Sequence, residues 1–134
     1  MNEDSKTIAA LNDAARATIG SIAQTGCKLV FTAGIAALAE EDRSAVLALV
    51  RSYEAFDEDN DPHGEHDFAT ICQLAGGSWT AAKQPRRTGA TDSVRQRVFW
   101  KFDYYDPDCQ FGSEAPDNPA LTTRVLTIML AEEY

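Results

Sequence analysis

Arg97-Val98-Phe99-Trp100-Lys101-Phe102-Asp103-Tyr104-Tyr105 is the segment whose reading decides the fold. Aromatic and β-branched side chains suit a pleated, half-buried surface, so six of them within nine residues predict a strand. Strand alternation places Val98, Trp100, Phe102 and Tyr104 on one face. Phe99, Lys101, Asp103 and Tyr105 fall on the other. Asp106-Pro107-Asp108 then turns the chain, and Pro116 and Pro119 keep Gly112–Pro119 irregular.

Working outward, Thr122–Tyr134 carries a dense apolar run that periodicity alone allows as helix or strand. Its β-branched residues (Thr122, Thr123, Val125, Thr127, Ile128) favour a buried strand paired with 97–105. On the N-terminal side, Asp67–Leu74 (DFATICQL) reads as another strand. Between the two, Gly76–Ser93 holds the breakers GG, QP and TG and little periodicity, which predicts a mobile insert over 75–93.

Glu40–Arg51 predicts a helix, with acids in its first turn and Val46, Leu47, Leu49 and Val50 as its apolar stripe. Cys27–Thr32 is β-prone, with Gly34 as punctuation. Ser5 can cap a helix that begins near Lys6, carries Ile8, Leu11, Ala15 and Ile19, and ends at Gly20. The expected fold is α+β, a single domain over 1–134 with two helices packed on a three- to four-stranded, mostly antiparallel sheet.

A chain of 134 residues, 44% hydrophobic and 25% charged, has the size and composition of one globular domain. No apolar run approaches the ~20 residues that cross a bilayer, and the acidic N-terminus lacks a signal core. Cys27, Cys72 and Cys109 are odd in number and form no CxxC pair. Reduced, mostly buried thiols in a cytoplasm are expected, with a zinc site built from all three disfavoured by their spacing.

The net charge is −9, unevenly spread. Residues 52–82 hold seven acids and no Lys or Arg. Residues 83–101 hold six bases (Lys83, Arg86, Arg87, Arg95, Arg97, Lys101) against Asp92. Duplex DNA is an unfavourable partner for so acidic a chain. A basic protein surface is a favourable one, and Asp57, Glu58, Asp59 and Asp61 are the residues expected to meet it. Trp79 with the basic loop Lys83, Arg86 and Arg87 has the composition to touch nucleic acid, or to fold back on the acidic loop.

Asp57–Asp67 (DEDNDPHGEHD) collects four aspartates, two glutamates and both histidines, the side chains that bind divalent metals and move protons near neutral pH. Asp57, Asp59 and Asp61 alternate as in an EF-hand, but Pro62 stands where the turning Gly belongs and Phe68 where the closing Glu belongs. No HExxH, PD-(D/E)xK or GxSxG pattern is present. Asp61, His63, Glu65 and His66 remain candidate ligands for one divalent metal ion; the leading expectation is no cofactor. For acid–base chemistry the candidates are His63, Glu65, His66 and Asp67, with Lys101 and Asp103 if the strands bring them together.

NDPHGEHDF (60–68), FWKFDYYD (99–106) and TTRVLTIMLAEEY (122–134), with IAALNDAAR near the N-terminus, resemble an uncharacterised bacterial family, domain-of-unknown-function family 3768. That resemblance implies a small cytoplasmic protein of plasmids and other mobile elements, and it implies no reaction. The longer stretch Ala75–Ser93 departs from the family pattern. The sequence therefore leads to a non-enzymatic, acidic interaction protein acting on a DNA-handling or defence protein. The alternative is a small metal-assisted hydrolase centred on the PHGEHD segment.

Overall fold

A computed structural model describes residues 3–19, 27–81 and 93–134. Helix α1 spans Glu3–Ala17, strand β1 Cys27–Phe31, the one-turn helix α2 Ala33–Ala36, and helix α3 Glu40–Ser52. Strands β2 (Phe68–Leu74), β3 (Trp79–Thr80), β4 (Val94–Tyr105) and β5 (Thr123–Leu130) follow. They form one five-stranded sheet in the order β1-β5-β4-β2-β3. The pairs β2–β3, β2–β4 and β4–β5 are antiparallel, whereas β1 joins β5 in parallel.

The pairing of the C-terminal strand with 97–105 appears as the residue types dictate: Trp100 lies opposite Ile128 and Phe102 opposite Leu126. The alternation within β4 also holds. Val98, Trp100 and Phe102 are buried, with Ile71, Leu126 and Ile128 beside them on the same face. Val46 and Val50 of α3 and Ile35 of α2 complete this core. Helices thus cover one face of the sheet, and among the described residues its edge strands are β1 and the two-residue β3.

Several expectations need correction. The sheet has five strands rather than three or four, and is mixed because β1 adds in parallel. A third helix, α2, replaces the expected punctuation at Gly34: the amide of Ala36 donates to Thr32 O and that of Ala37 to Ala33 O. Helix α1 begins at Glu3, so Ser5 lies inside its first turns rather than capping it. The expected insert is not irregular from its start, because Trp79 and Thr80 pair with Gln73 and Cys72. Trp79 Nε1 donates to Asp42 of α3 at 2.9 Å, which fixes that edge to the helix layer. Lys83, Arg86, Arg87 and the Gly20 stop signal lie outside the described residues. Only Cys72 of the three unpaired cysteines is fully buried; Cys27 and Cys109 are half-buried.

The C-terminal end closes on α2 through one carboxylate. Glu133 accepts from the Thr32 hydroxyl (2.6 Å) and from the amides of Gly34 (2.9 Å) and Leu130 (2.9 Å). These donors favour the charged form and hold the Glu133 carboxyl below the usual glutamate range. A Cβ at Gly34 would stand 2.7 Å from Leu130 Cγ, so the close approach requires glycine. Gly34→Ala is expected to destabilise the protein by about 1–3 kcal/mol in denaturant titrations. A lowered folded pKa stabilises above the unfolded value, and that contribution fades as pH falls through the folded one. The difference between wild type and Glu133→Gln in thermal unfolding should therefore be present at pH 7 and vanish in strong acid.

Candidate functional site

Two polar residues lie in the buried stripe of α1. Ile8, Asn12 and Arg16 recur every fourth position and share one helix face, and all three are buried. Burying an amide or guanidinium costs free energy unless its hydrogen-bonding groups are satisfied. Asn12 meets that demand at three segments. Its Nδ2 donates to Glu65 O (3.0 Å) and to the Tyr104 hydroxyl (2.8 Å), and its Oδ1 accepts from Arg124 Nε at 2.9 Å. Arg124 also donates to Pro116 O and lies over the Tyr104 ring. Burial pushes the Tyr104 hydroxyl well above the usual phenol range and lowers Arg124 from its ordinary value.

Arg16 serves the helix layer. Its Nη1 donates to Val50 O (2.8 Å) and Tyr53 O (3.1 Å), satisfying carbonyls at the end of α3. Its Nη2 pairs with Asp13 at 2.7 Å, and its guanidinium lies 4.8 Å from the Trp100 ring centroid. The cation is thus held by a carboxylate, two carbonyls and an aromatic face, while its buried Nε has no hydrogen-bond partner.

The segment 53–67 is built largely by its own acids. Asp57 Oδ1 accepts from the amides of Asp59 (2.9 Å) and Asn60 (3.0 Å), while Asn60 Oδ1 accepts from the Asp57 amide. Asp61 is buried and accepts from the amides of Glu65 (3.2 Å) and His66 (3.3 Å). These are the local side-chain-to-backbone bonds that Asp and Asn make in turns. Gly64 (φ 69°) and His66 (φ 54°) take left-handed backbone, which a non-glycine residue adopts at a cost.

That backbone turns His66 toward α1. Its Nδ1 lies 2.9 Å from Asp13 Oδ1, its Nε2 3.6 Å from Asp61 Oδ2, and its ring stacks on Phe56 with centroids 4.0 Å apart and planes 3° from parallel. A carboxylate only accepts, so Nδ1 carries the proton donated to Asp13. Asp13, Phe56 and His66 separate two clefts. One, of about 500 Å³, is also lined by Arg16, Arg51 and Glu54; the other, of about 800 Å³, by Lys6, Asp57, Glu58 and Asp61.

The residues singled out in the sequence therefore divide. Asp61 and His66 come together, joined by Asp13 and Phe56. Asp67 and Glu65 share a neighbourhood in which burial, then the neighbouring carboxylates, push both carboxyls up. His63 is exposed, and its charge tempers both of them. Lys101 and Asp103 pair with each other at 3.0 Å, and Asp103 is near enough to Asp67 to help push its carboxyl up, whereas His66 turns to Asp13 instead. Glu58 and Asp59 are exposed, whereas Asp57 is half-buried and Asp61 buried. Among the described residues no three His, Cys, Asp or Glu side chains converge where they could hold one metal ion. The sequence reading missed Asn12, Asp13 and Arg16. The signal was present in the 8–12–16 spacing, which puts an amide and a guanidinium on the stripe that Ile8 begins.

Asn12→Ala would leave the Tyr104 hydroxyl and Arg124 without a shared partner, and is expected to cost about 2–4 kcal/mol in chemical denaturation. Asp67 has the opposite sign. Its folded pKa is raised, so its charge opposes folding above that value and the penalty disappears below the unfolded one. Asp67→Asn should raise thermal stability at pH 7, with the gain shrinking as pH falls through the carboxylate range.

No curated protein and no solved structure matches the chain. Residues 31–133 match the family described as "Protein of unknown function (DUF3768)", a range that covers α2, α3, the 53–67 segment and strands β2 to β5, and reaches only Phe31 of β1. The chain belongs to that family.

Proposed function

We propose that this chain is a small, non-enzymatic interaction protein of bacterial mobile elements, acting in the cytoplasm through an acidic surface on a basic protein. The observation that carries the reading is topological. Strand β2 begins, β4 ends and β5 begins at the same end of the sheet, so segments 54–67 and 106–117 emerge side by side. Neither segment contains Lys or Arg, and together they hold Glu54, Asp57, Glu58, Asp59, Asp61, Glu65, Asp67, Asp106, Asp108, Glu114 and Asp117. Arg124, bonded to Asn12 and to Pro116 O, holds the two segments against one core.

Order matters as much as charge. Asp57 and Asp61 bond the loop's own amides, so Glu58 and Asp59 are displayed from a fixed backbone. A preorganised surface loses less entropy when it docks. Phe111 is 72% exposed beside this acidic rim and supplies an apolar anchor. A basic DNA-handling or defence protein fits this chemistry, and phosphate backbone does not.

A second reading, a small hydrolase, is favoured by the Asp13–His66 pair beside a cleft. In that reading His66 Nε2 would accept a proton while Asp13 orients the ring. About one zinc, manganese or iron per purified chain, lost on His66→Ala, would favour it. The leading reading is tested by capture from bacterial lysate at low and moderate salt, beside a DNA mobility-shift assay. Glu54→Lys with Glu58→Lys is expected to slow association with the captured basic protein about tenfold at low salt, and the effect should fade as salt rises. Tight duplex binding with no protein captured would reject the reading.

A further inference from the structure

Opposite the helices, the sheet has a second face on which no α-helix lies among the described residues. Strand alternation places Arg95, Arg97, Phe99 and Lys101 of β4 there, with Lys28 of β1 and Phe68 of β2. Part of this face is already closed. Met129 and Cys72 are buried, and Tyr134 packs on Phe68 and Phe99, with ring centroids 6.0 and 5.7 Å away. Tyr134 is itself 75% exposed, so the open part is a strip of cations beside an outward aromatic ring.

The strip departs in charge from the rest of the molecule. In a chain of net −9 it gathers Lys28, Arg95, Arg97 and Lys101. Asp103 faces the same way and pairs with Lys101 at 3.0 Å. Lys28, Arg95 and Arg97 have no carboxylate partner among the described residues. At the rim Glu132 is exposed, whereas Glu133 gives its carboxylate to Thr32, Gly34 and Leu130. The surface is therefore net basic. Outward side chains of a strand stand about 7 Å apart, so the row from Arg95 to Lys101 is about 20 Å long. Like charges held in such a row repel one another, and a polyanion laid along it is attracted by all of them.

The aromatic ring selects among polyanions. An acidic peptide has no regular partner for it, whereas a nucleotide brings a base with a π-face for each phosphate. Shape selects further. A sheet strip offers no helix to enter a duplex groove, and the acidic segments 54–67 and 106–117 at one end of the same sheet disfavour a second strand.

We propose that this helix-free face binds a short stretch of single-stranded nucleic acid, with Arg95, Arg97 and Lys101 on phosphates and Tyr134 stacked on a base. The row fits on the order of four nucleotides, the small end of such sites. The inference stands apart from the acidic-end reading, which uses other residues.

Fluorescence anisotropy with labelled thymidylate and uridylate 12-mers tests it across a salt series. Binding of either is expected, and the tighter of the two names DNA or RNA. Three phosphate contacts predict a slope of log K against log salt of about −2. Arg95→Ala with Arg97→Ala should weaken binding at least about tenfold at low salt and reduce the slope to about −0.7. Tyr134→Ala should weaken it at least about fivefold, yet bind an abasic 12-mer as the wild type does. Circular dichroism checks folding, and Arg95→Gln alone, at an exposed position, replaces the double variant should that fail to fold. Its binding should then fall about threefold. No binding to either 12-mer at low salt would overturn the proposal, as would equal affinity for duplex. So would displacement by polyglutamate of equal charge as readily as by unlabelled 12-mer, which would assign the face to acidic proteins. Binding lost on Arg86→Ala with Arg87→Ala, but kept in the Arg95 and Arg97 variant, would overturn it too.

Discussion

The carboxamide of Asn12 is the contact on which the arrangement rests. One buried side chain bonds the backbone of the acidic loop, the hydroxyl at the end of β4 and the guanidinium at the start of β5. Those partners lie 53, 92 and 112 residues away in sequence. Apolar packing would hold α1 against the sheet in many registers, because hydrophobic contact has little direction. A satisfied amide permits one. Arg16, one turn later on the same helix face, does for α3 what Asn12 does for the sheet. With these two residues, α1 positions both layers, and Asp13 between them reaches His66.

How much of this was legible follows from the range of each interaction. Strands β4 and β5 could be read because their alternation and β-branched residues act over neighbouring positions, and the same physics pairs them. Helix α3 was legible for the same reason, from the stripe of Val46 and Val50 behind an acidic first turn. Helix α2 was not, since four residues around a glycine carry no periodicity; its Gly34 is selected by the approach of Leu130 and Glu133, almost a hundred residues later. The parallel addition of β1 also escaped the sequence, because no local pattern distinguishes a parallel from an antiparallel edge. The 53–67 segment was visible as a concentration of functional groups. What could not be read was that His66 turns toward α1 rather than toward Lys101, a choice made by its left-handed backbone and by Asp13.

Carboxylates in this chain do two kinds of work, and composition does not separate them. Asp57, Asp61 and Glu133 accept backbone amides and act as structural pins. Glu58 differs only in where the backbone leaves it, and it faces solvent. The division explains how so acidic a segment stays ordered. Part of its charge is engaged by N–H donors, and the remainder is spaced along the surface, where water screens it.

Sheet order has a consequence for how the chain reaches its native state. Among the described strands β1 is the first in sequence, yet its pairing partner β5 is the last of them, with Cys27 opposite Arg124. No local hairpin can form this pair, so the loop between them must close first, and topologies dominated by such distant contacts fold slowly. During synthesis β1 leaves the ribosome long before residues 123–130 exist. Its five residues, CKLVF, wait as an unpaired apolar edge. Lys28 in that segment places a charge where a stray strand would otherwise add, the usual protection of an exposed edge. Completion of the fold is thus coupled to arrival of the final strand, and a chain cut short of β5 would present that edge to the cell's proteases and chaperones.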